Sequence, residues 1–128
     1  MSDFIAIVRA IYDAINAGDA AGIVQHLSPD IRITQTRELP WGGEYEGLAG
    51  YAAFAKTLRH HIQSRVEVER IFAAGEDVVV IGRTIGAAKD KHTPFDVAIA
   101  HVLTVRGGKV VAARYYIDTP AMLAALSA

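Results

Sequence analysis

The sequence predicts an α+β domain in which helices pack on one face of an antiparallel sheet, and three observations predict it. Apolar residues in the first half recur every three or four positions, in Phe4, Val8, Ile11 and Ile15 and again in Leu48, Tyr51, Ala55, Leu58 and Ile62, the period of an amphipathic helix. From Arg65 onward the period changes to two, as in a strand with one buried face. The strand-like runs are separated by short turns such as Gly75-Glu76-Asp77 and Gly107-Gly108, too short for crossover helices, so consecutive runs pair antiparallel.

Taken in order, the first helix starts at Asp3, carries Ile5 and Tyr12 beside its apolar face, and ends at Gly18. Asp19 can cap a second short helix bearing Ile23, Val24 and Leu27, which Pro29 prevents from continuing. Ile31 to Thr36 alternates apolar and polar residues, a half-buried strand with Ile31, Ile33 and Gln35 on one face. Leu39-Pro40-Trp41-Gly42-Gly43 is a loop able to fold the sole tryptophan over an opening. The third helix ends in Arg59, His60 and His61, favourable near a negative helix terminus. Four strands follow, Arg65–Ala74, Val78–Ala88, Phe95–Arg106 and Lys109–Ile117. Thr119 as N-cap and Pro120 in the first turn open a short closing helix.

Composition excludes several function classes. The 128 residues are 52% hydrophobic and 21% charged with a net charge of −1, so one domain spanning 1–128 can bury a core, and no basic footprint for nucleic acid is present. No undiluted apolar run, Val78 to Ile81 included, approaches the roughly 20 residues of a membrane helix. With no cysteine, thiol catalysis and thiolate metal sites are excluded. The opening MSDFIAIVRAIYDAI is acidic early and charged at Arg9 and Asp13, unlike a secretory leader, so the expected location is cytoplasmic. His26, His60, His61 and His92 match no metal-ligand spacing, and the serines stand in no Gly-x-Ser-x-Gly turn. No dinucleotide or phosphate-loop fingerprint is present, so any chemistry is expected to need no cofactor and no metal.

The residue that stands out is His101, the one ionisable group in the row Val97, Ile99, His101, Leu103, Val105 on one strand face. Imidazole titrates near neutrality, which suits acid or base work, and an apolar wall lowers its pKa. The alternative is a core histidine satisfied by tyrosine or backbone. Tyr115, Tyr12 and Tyr51 can donate phenolic hydrogens to a ligand carbonyl, while aromatics at such spacing also serve as core. Phe54, Val97 and Ile99 complete the expected pocket lining, and Trp41 reads either as its wall and lid or as a hydrophobic plug holding its loop to the body. Asp118 reads either as a carboxylate partner to His101 or as a charge at the closing helix's N-terminus.

Ala17-Gly18-Asp19 after the first helix, Trp41-Gly42-Gly43-Glu44-Tyr45-Glu46-Gly47 before the third, and Gly107-Gly108-Lys109-Val110 in the last hairpin occur in an order that resembles the nuclear transport factor 2-like superfamily. Within it the chain is most similar to the SnoaL-like, ketosteroid-isomerase-related branch. That resemblance implies a cone: a strongly curved sheet wrapped around the helices, an apolar cavity, and a homodimer through the outer sheet face. Its members include steroid isomerases, polyketide cyclases, epoxide hydrolases, dehydratases and catalytically silent binding domains, so fold leaves function open. Gln35 falls where a ketosteroid isomerase has its general-base aspartate, and an amide cannot abstract a proton. The isomerase tyrosine falls near Ile11, with Tyr12 rotated by about 100° on an ideal helix. His101 falls at the isomerase's proton-donating aspartic acid and at the histidine of SnoaL-like cyclases. Tyr115 stands where those cyclases carry their aspartate, and Asp118 reaches the same face only through a bulge.

The expectation is a protein that binds a small hydrophobic, cyclic, oxygenated molecule, with His101 and Tyr115 catalytic and Tyr12, Gln35, Trp41, Tyr51, Phe54, Val97, Ile99 and Asp118 binding. The chemistry would be isomerisation, cyclisation, hydration or dehydration. The alternative is a non-catalytic ligand-binding or dimerisation module. Val102, Val110 and Tyr116 are the expected outward apolar positions of a dimer.

Overall fold

The computed structural model describes residues 2–128, Met1 lying outside them. Helices α1 (Ser2–Ala17) and α2 (Ala20–Val24) come first, followed by strands β1 (Leu27–Gln35) and β2 (Gly43–Glu46), helix α3 (Gly47–His61), strands β3 (Ile62–Ala74), β4 (Asp77–Ala88), β5 (Pro94–Arg106) and β6 (Lys109–Ile117), and helix α4 (Thr119–Ser127). The six strands form one curved, unclosed sheet in the order β2-β1-β6-β5-β4-β3. The expected antiparallel run from β3 to β6 is present. It is completed by two pairings that periodicity does not reveal: β1 lies parallel to β6, and β2, which begins where the stretch read as a loop ends, pairs antiparallel with β1.

The core lies between the concave face of the sheet and the helices. Val8, Ile11, Tyr12 and Ala14 of α1 and Phe54 of α3 meet Ile31, Ile33, Val78, Val80, Leu103 and Val105 of the sheet. The inward face of α3 runs through Tyr51, Phe54 and Leu58, with Leu48 exposed. Curvature has identifiable causes. Glu69 on β3 and Val111 on β6 are extra residues in their ladders, and a bulge bends and twists its strand. On β4, a Cβ at Gly82 would stand 2.1 Å from the Glu67 carbonyl oxygen and one at Gly86 would stand 1.9 Å from that of Gln63. Glycine at both positions lets β3 cross β4 at this close approach.

The free edge of β3 is tied to α1 by one side chain. The Asn16 amide donates to the Val66 carbonyl at 2.7 Å and accepts from the Val66 N–H at 2.8 Å, taking up backbone groups that an edge strand leaves unpaired. At the other end of the helical layer, α2 stops at Val24 and Leu27 already belongs to β1. Pro29 sits in the irregular start of β1, where the ladder to β6 skips from Leu27 to Arg32, a place where a missing N–H is tolerated. No helix among the described residues is long and apolar enough to cross a membrane.

The bulge at Val111 corrects one expectation. Val105 pairs with Val110 and Thr104 with Ala112, so the extra residue reverses the side-chain alternation between Val110 and Ala113. Both are therefore buried, and Val110 belongs to the core, not to an outward patch. Tyr116 remains outward and is 56% exposed.

Candidate functional site

The register of the sheet brings the central residues together. His101 on β5 is the direct partner of Tyr115 on β6 and of Val80 on β4, so His101 and Tyr115 project from the same concave face with ring centroids 4.6 Å apart. Above them α1 contributes Tyr12, whose hydroxyl lies 2.5 Å from His101 Nδ1. Helix α3 contributes Phe54, stacked on Tyr115 at 5.5 Å, and Tyr45 at the end of β2 meets Phe54 edge-on at 5.4 Å. Tyr51 stands one helical turn before Phe54, and its field reaches both Tyr12 and Tyr115.

Burial determines the charge state of this cluster. Removal from water penalises the charged form of any group, and it lowers the His101 imidazole from its ordinary 6.5 to about 3, so the ring is neutral at physiological pH. The same effect raises the phenols of Tyr12, Tyr51 and Tyr115, with exposed Arg59 opposing it at Tyr51. Three polar atoms here have no hydrogen-bond partner among the described residues: His101 Nε2, Tyr115 Oη and Tyr51 Oη. None is sealed, because every fully buried side-chain nitrogen or oxygen among the described residues has a partner. The cluster thus presents three unpaired polar atoms to accessible space within an apolar surround.

Of the other expected site residues, Gln35 follows the Thr34–Arg114 pair on β1 as Tyr115 does on β6, and borders the same recess as Tyr115. Trp41, expected as a lid, is 1% exposed and donates its indole N–H to Gln35 Oε1 at 2.8 Å. Gln35 is itself buried, so the two form a polar pin inside the core, held further by Tyr45 donating to the Trp41 carbonyl at 3.0 Å. Gly42 permits this loop: a Cβ there would stand 1.7 Å from the Thr36 carbonyl oxygen. Swinging out as a lid would leave the buried Gln35 Oε1 without its donor. Asp118 is exposed and accepts from the Ala121 N–H at 3.2 Å. It, and not Thr119, is the N-cap of α4. No bulge turns the carboxylate inward, since the irregularity of β6 lies at its other end. Val97 and Ile99 are buried on the His101 face of β5, and Val97 belongs to the packed core.

The expected alternative of a histidine satisfied by a tyrosine holds for Nδ1, and the tyrosine is Tyr12. Its offset from Ile11 suggested another direction, yet both residues are buried on one broad helix face. No carboxylate reaches the cluster: all aspartates and glutamates among the described residues are exposed except Asp77, which bonds Thr104 and Arg114 on the outer sheet face. No group of histidine and acidic residues among the described residues has metal-binding geometry. Two open recesses are present. One of about 410 Å³ borders Thr34, Gln35, Arg37, Glu44, Arg114, Tyr115 and Tyr116, and so meets the cluster at Tyr115. The other, of about 390 Å³, lies over Gln63, Arg65 and Ile85.

Comparisons with known proteins give a family and a fold. The family model described as SnoaL-like domain matches residues 8–113. A protein of Burkholderia pseudomallei described as NTF2-like and of unknown function superposes with a TM-score of 0.93 at 27% identity, covering 100% of both chains. TerC, co-crystallised with polyporic acid, superposes at 0.91 with 22% identity over 98% of this chain and 99% of its own. A SnoaL-like polyketide cyclase, so described, from Jannaschia superposes at 0.84 with 24% identity over 99% and 93%. No curated protein matches the sequence.

Proposed function

The chain belongs to the SnoaL-like domain family, and from that premise we propose that it binds a small hydrophobic, cyclic, oxygenated molecule at the cluster formed by His101, Tyr115, Tyr51, Tyr12 and Phe54. The observation that carries this reading is the set of three polar atoms, His101 Nε2, Tyr115 Oη and Tyr51 Oη, unpaired among the described residues yet not sealed. In apolar surroundings, polar atoms left free in this way are the partners that fix a ligand oxygen. TerC with polyporic acid, and a ketosteroid isomerase-like protein from Catenulispora acidiphila in complex with trimethylamine, support small-molecule binding by this fold.

If a reaction follows, it is a cofactor-independent isomerisation, cyclisation, hydration or dehydration, in which His101 and Tyr115 exchange protons with a ligand oxygen or stabilise its developing charge. A second reading, a non-catalytic binding or dimerisation module, is favoured by one specific observation: no carboxylate of the described residues faces the cluster. The homodimer belongs to both readings and is supported by Tyr116, large and exposed beside the larger recess.

The test is a thermal-shift screen of wild type and His101→Phe against cyclic ketones, aromatic polyketides, steroids and terpenoid epoxides, because a ligand that binds only the native state stabilises it by mass action. The expected result is a hit in wild type that weakens in the variant, followed by assay for turnover of that chemical class. Turnover lost in His101→Phe separates an enzyme from a binding module. Silence across the panel, with the variant at least as stable as wild type, would overturn the ligand-site reading.

A further inference from the structure

We propose that Tyr12 is a positioning residue that holds His101 as the Nε2–H tautomer, so that the site meets its ligand with a hydrogen-bond donor and selects molecules presenting a carbonyl oxygen there. The tautomer follows from the contact itself. The choice of ligand class rests additionally on reading the cluster as a ligand site.

Two proton arrangements are compatible with the 2.5 Å contact between Tyr12 Oη and His101 Nδ1. In one, the phenol donates to the Nδ1 lone pair and both groups are satisfied. In the other, Nδ1–H donates to the phenolic oxygen, and the phenolic hydrogen must find another acceptor. Tyr12 is 3% exposed, and its hydroxyl has no other partner among the described residues. A buried hydroxyl without an acceptor is penalised, whereas a made bond is not. The phenol therefore donates, Nδ1 is an acceptor, and in a neutral ring the remaining proton is on Nε2.

The consequence for the site is directional. Nε2–H can only donate, and it is among the atoms left unpaired but not sealed. The Tyr115 hydroxyl, on the strand position paired with His101, is a second donor aimed from the same face. A ligand atom between them must be an acceptor, and a carbonyl oxygen with two lone pairs can take both hydrogens. The resting imidazole lacks the free lone pair of a general base toward the ligand, so His101 enters any chemistry as donor. Arg59, the cation whose field reaches Tyr51, is exposed on α3, so the oxygen faces neutral donors.

Long-range proton–nitrogen correlation spectra of histidine-labelled full-length protein read the tautomer directly. Wild type is expected to show His101 with a protonated Nε2 and an unprotonated Nδ1, and Tyr12→Phe to shift the pattern toward a mixture. A protonated Nδ1 in wild type overturns the proposal, and this spectrum decides even if Tyr12→Phe does not fold. An unchanged Nε2–H pattern in a folded Tyr12→Phe removes Tyr12 from its positioning role. For the ligand class, α-tetralone and tetralin, which differ by the carbonyl oxygen, are compared by calorimetric titration. The ketone is expected to bind more tightly to wild type by about tenfold for each net hydrogen bond, with the advantage reduced about tenfold in His101→Phe, where the Tyr115 donor remains. Equal binding of the two overturns the donor role while leaving an apolar ligand site. Binding of neither sinks the ligand-site reading with the tautomer result untouched.

Discussion

His101 and Gln35 are both polar residues on the concave face of the sheet, and what differs is the partner each has found. Gln35 accepts from the Trp41 indole through Oε1 and the pair is buried, while its Nε2 has no hydrogen-bond partner among the described residues. Replacing Gln35 by Leu leaves the indole N–H without an acceptor and is expected to cost about 1–3 kcal/mol. Urea unfolding of Gln35→Leu, Trp41→Phe and the double variant should show the double variant losing less than the sum. His101 is half satisfied, by Tyr12 alone. Its lowered pKa has a definite sign in stability. The unfolded chain takes up a proton near 6.5 and the folded ring only near 3, so the unfolded state binds more protons in that window and acid favours it. Wild type is therefore expected to lose about 1.4 kcal/mol per pH unit relative to His101→Gln as pH falls from 6.5 toward 3, with no difference above neutrality. Parallel pH-dependent melts of the two proteins check it.

Among the elements, α4 shows how one carboxylate can be read two ways. Asp118 follows β6 directly, and alternation alone leaves its direction open; the cap bond to Ala121 and its exposure assign it to the helix. Asp118→Ala should destabilise the protein by about 0.5–2 kcal/mol, the usual value of an N-cap, while ligand affinity at the cluster stays unchanged. A loss of affinity without loss of stability would return Asp118 to the site. The β3–β6 meander was legible because short turns and a period of two allow little else. Strand β2 was not, because its four residues, Gly43–Glu46, are too few to display a period. The reversal at Val111 was equally hidden, since a bulge is a property of two strands in register and not of one.

For the whole molecule, the proposed homodimer would use the outer sheet face, where Tyr116 projects two residues after Arg114. Tyr116→Arg places a second cation beside that guanidinium. It is expected to convert a dimer to a monomer in sedimentation at micromolar concentration, with the melt of the monomer intact; a wild-type monomer would refute the assembly. The fold class was written in the sequence because burial of apolar surface enforces its period locally, helix by helix and strand by strand. The row Val97, Ile99, His101, Leu103, Val105 likewise marked the strand face to which His101 belongs. Which polar groups meet across that face is not a local quantity. Tyr12 and His101 are separated by 89 positions, and their contact depends on how far β5 bends beneath α1. Trp41 became a pin and not a lid because Gln35 lies within reach of its N–H. Such contacts depend on long-range register and curvature, which exist only once the sheet has closed over the helices, and so only the tertiary structure decided them.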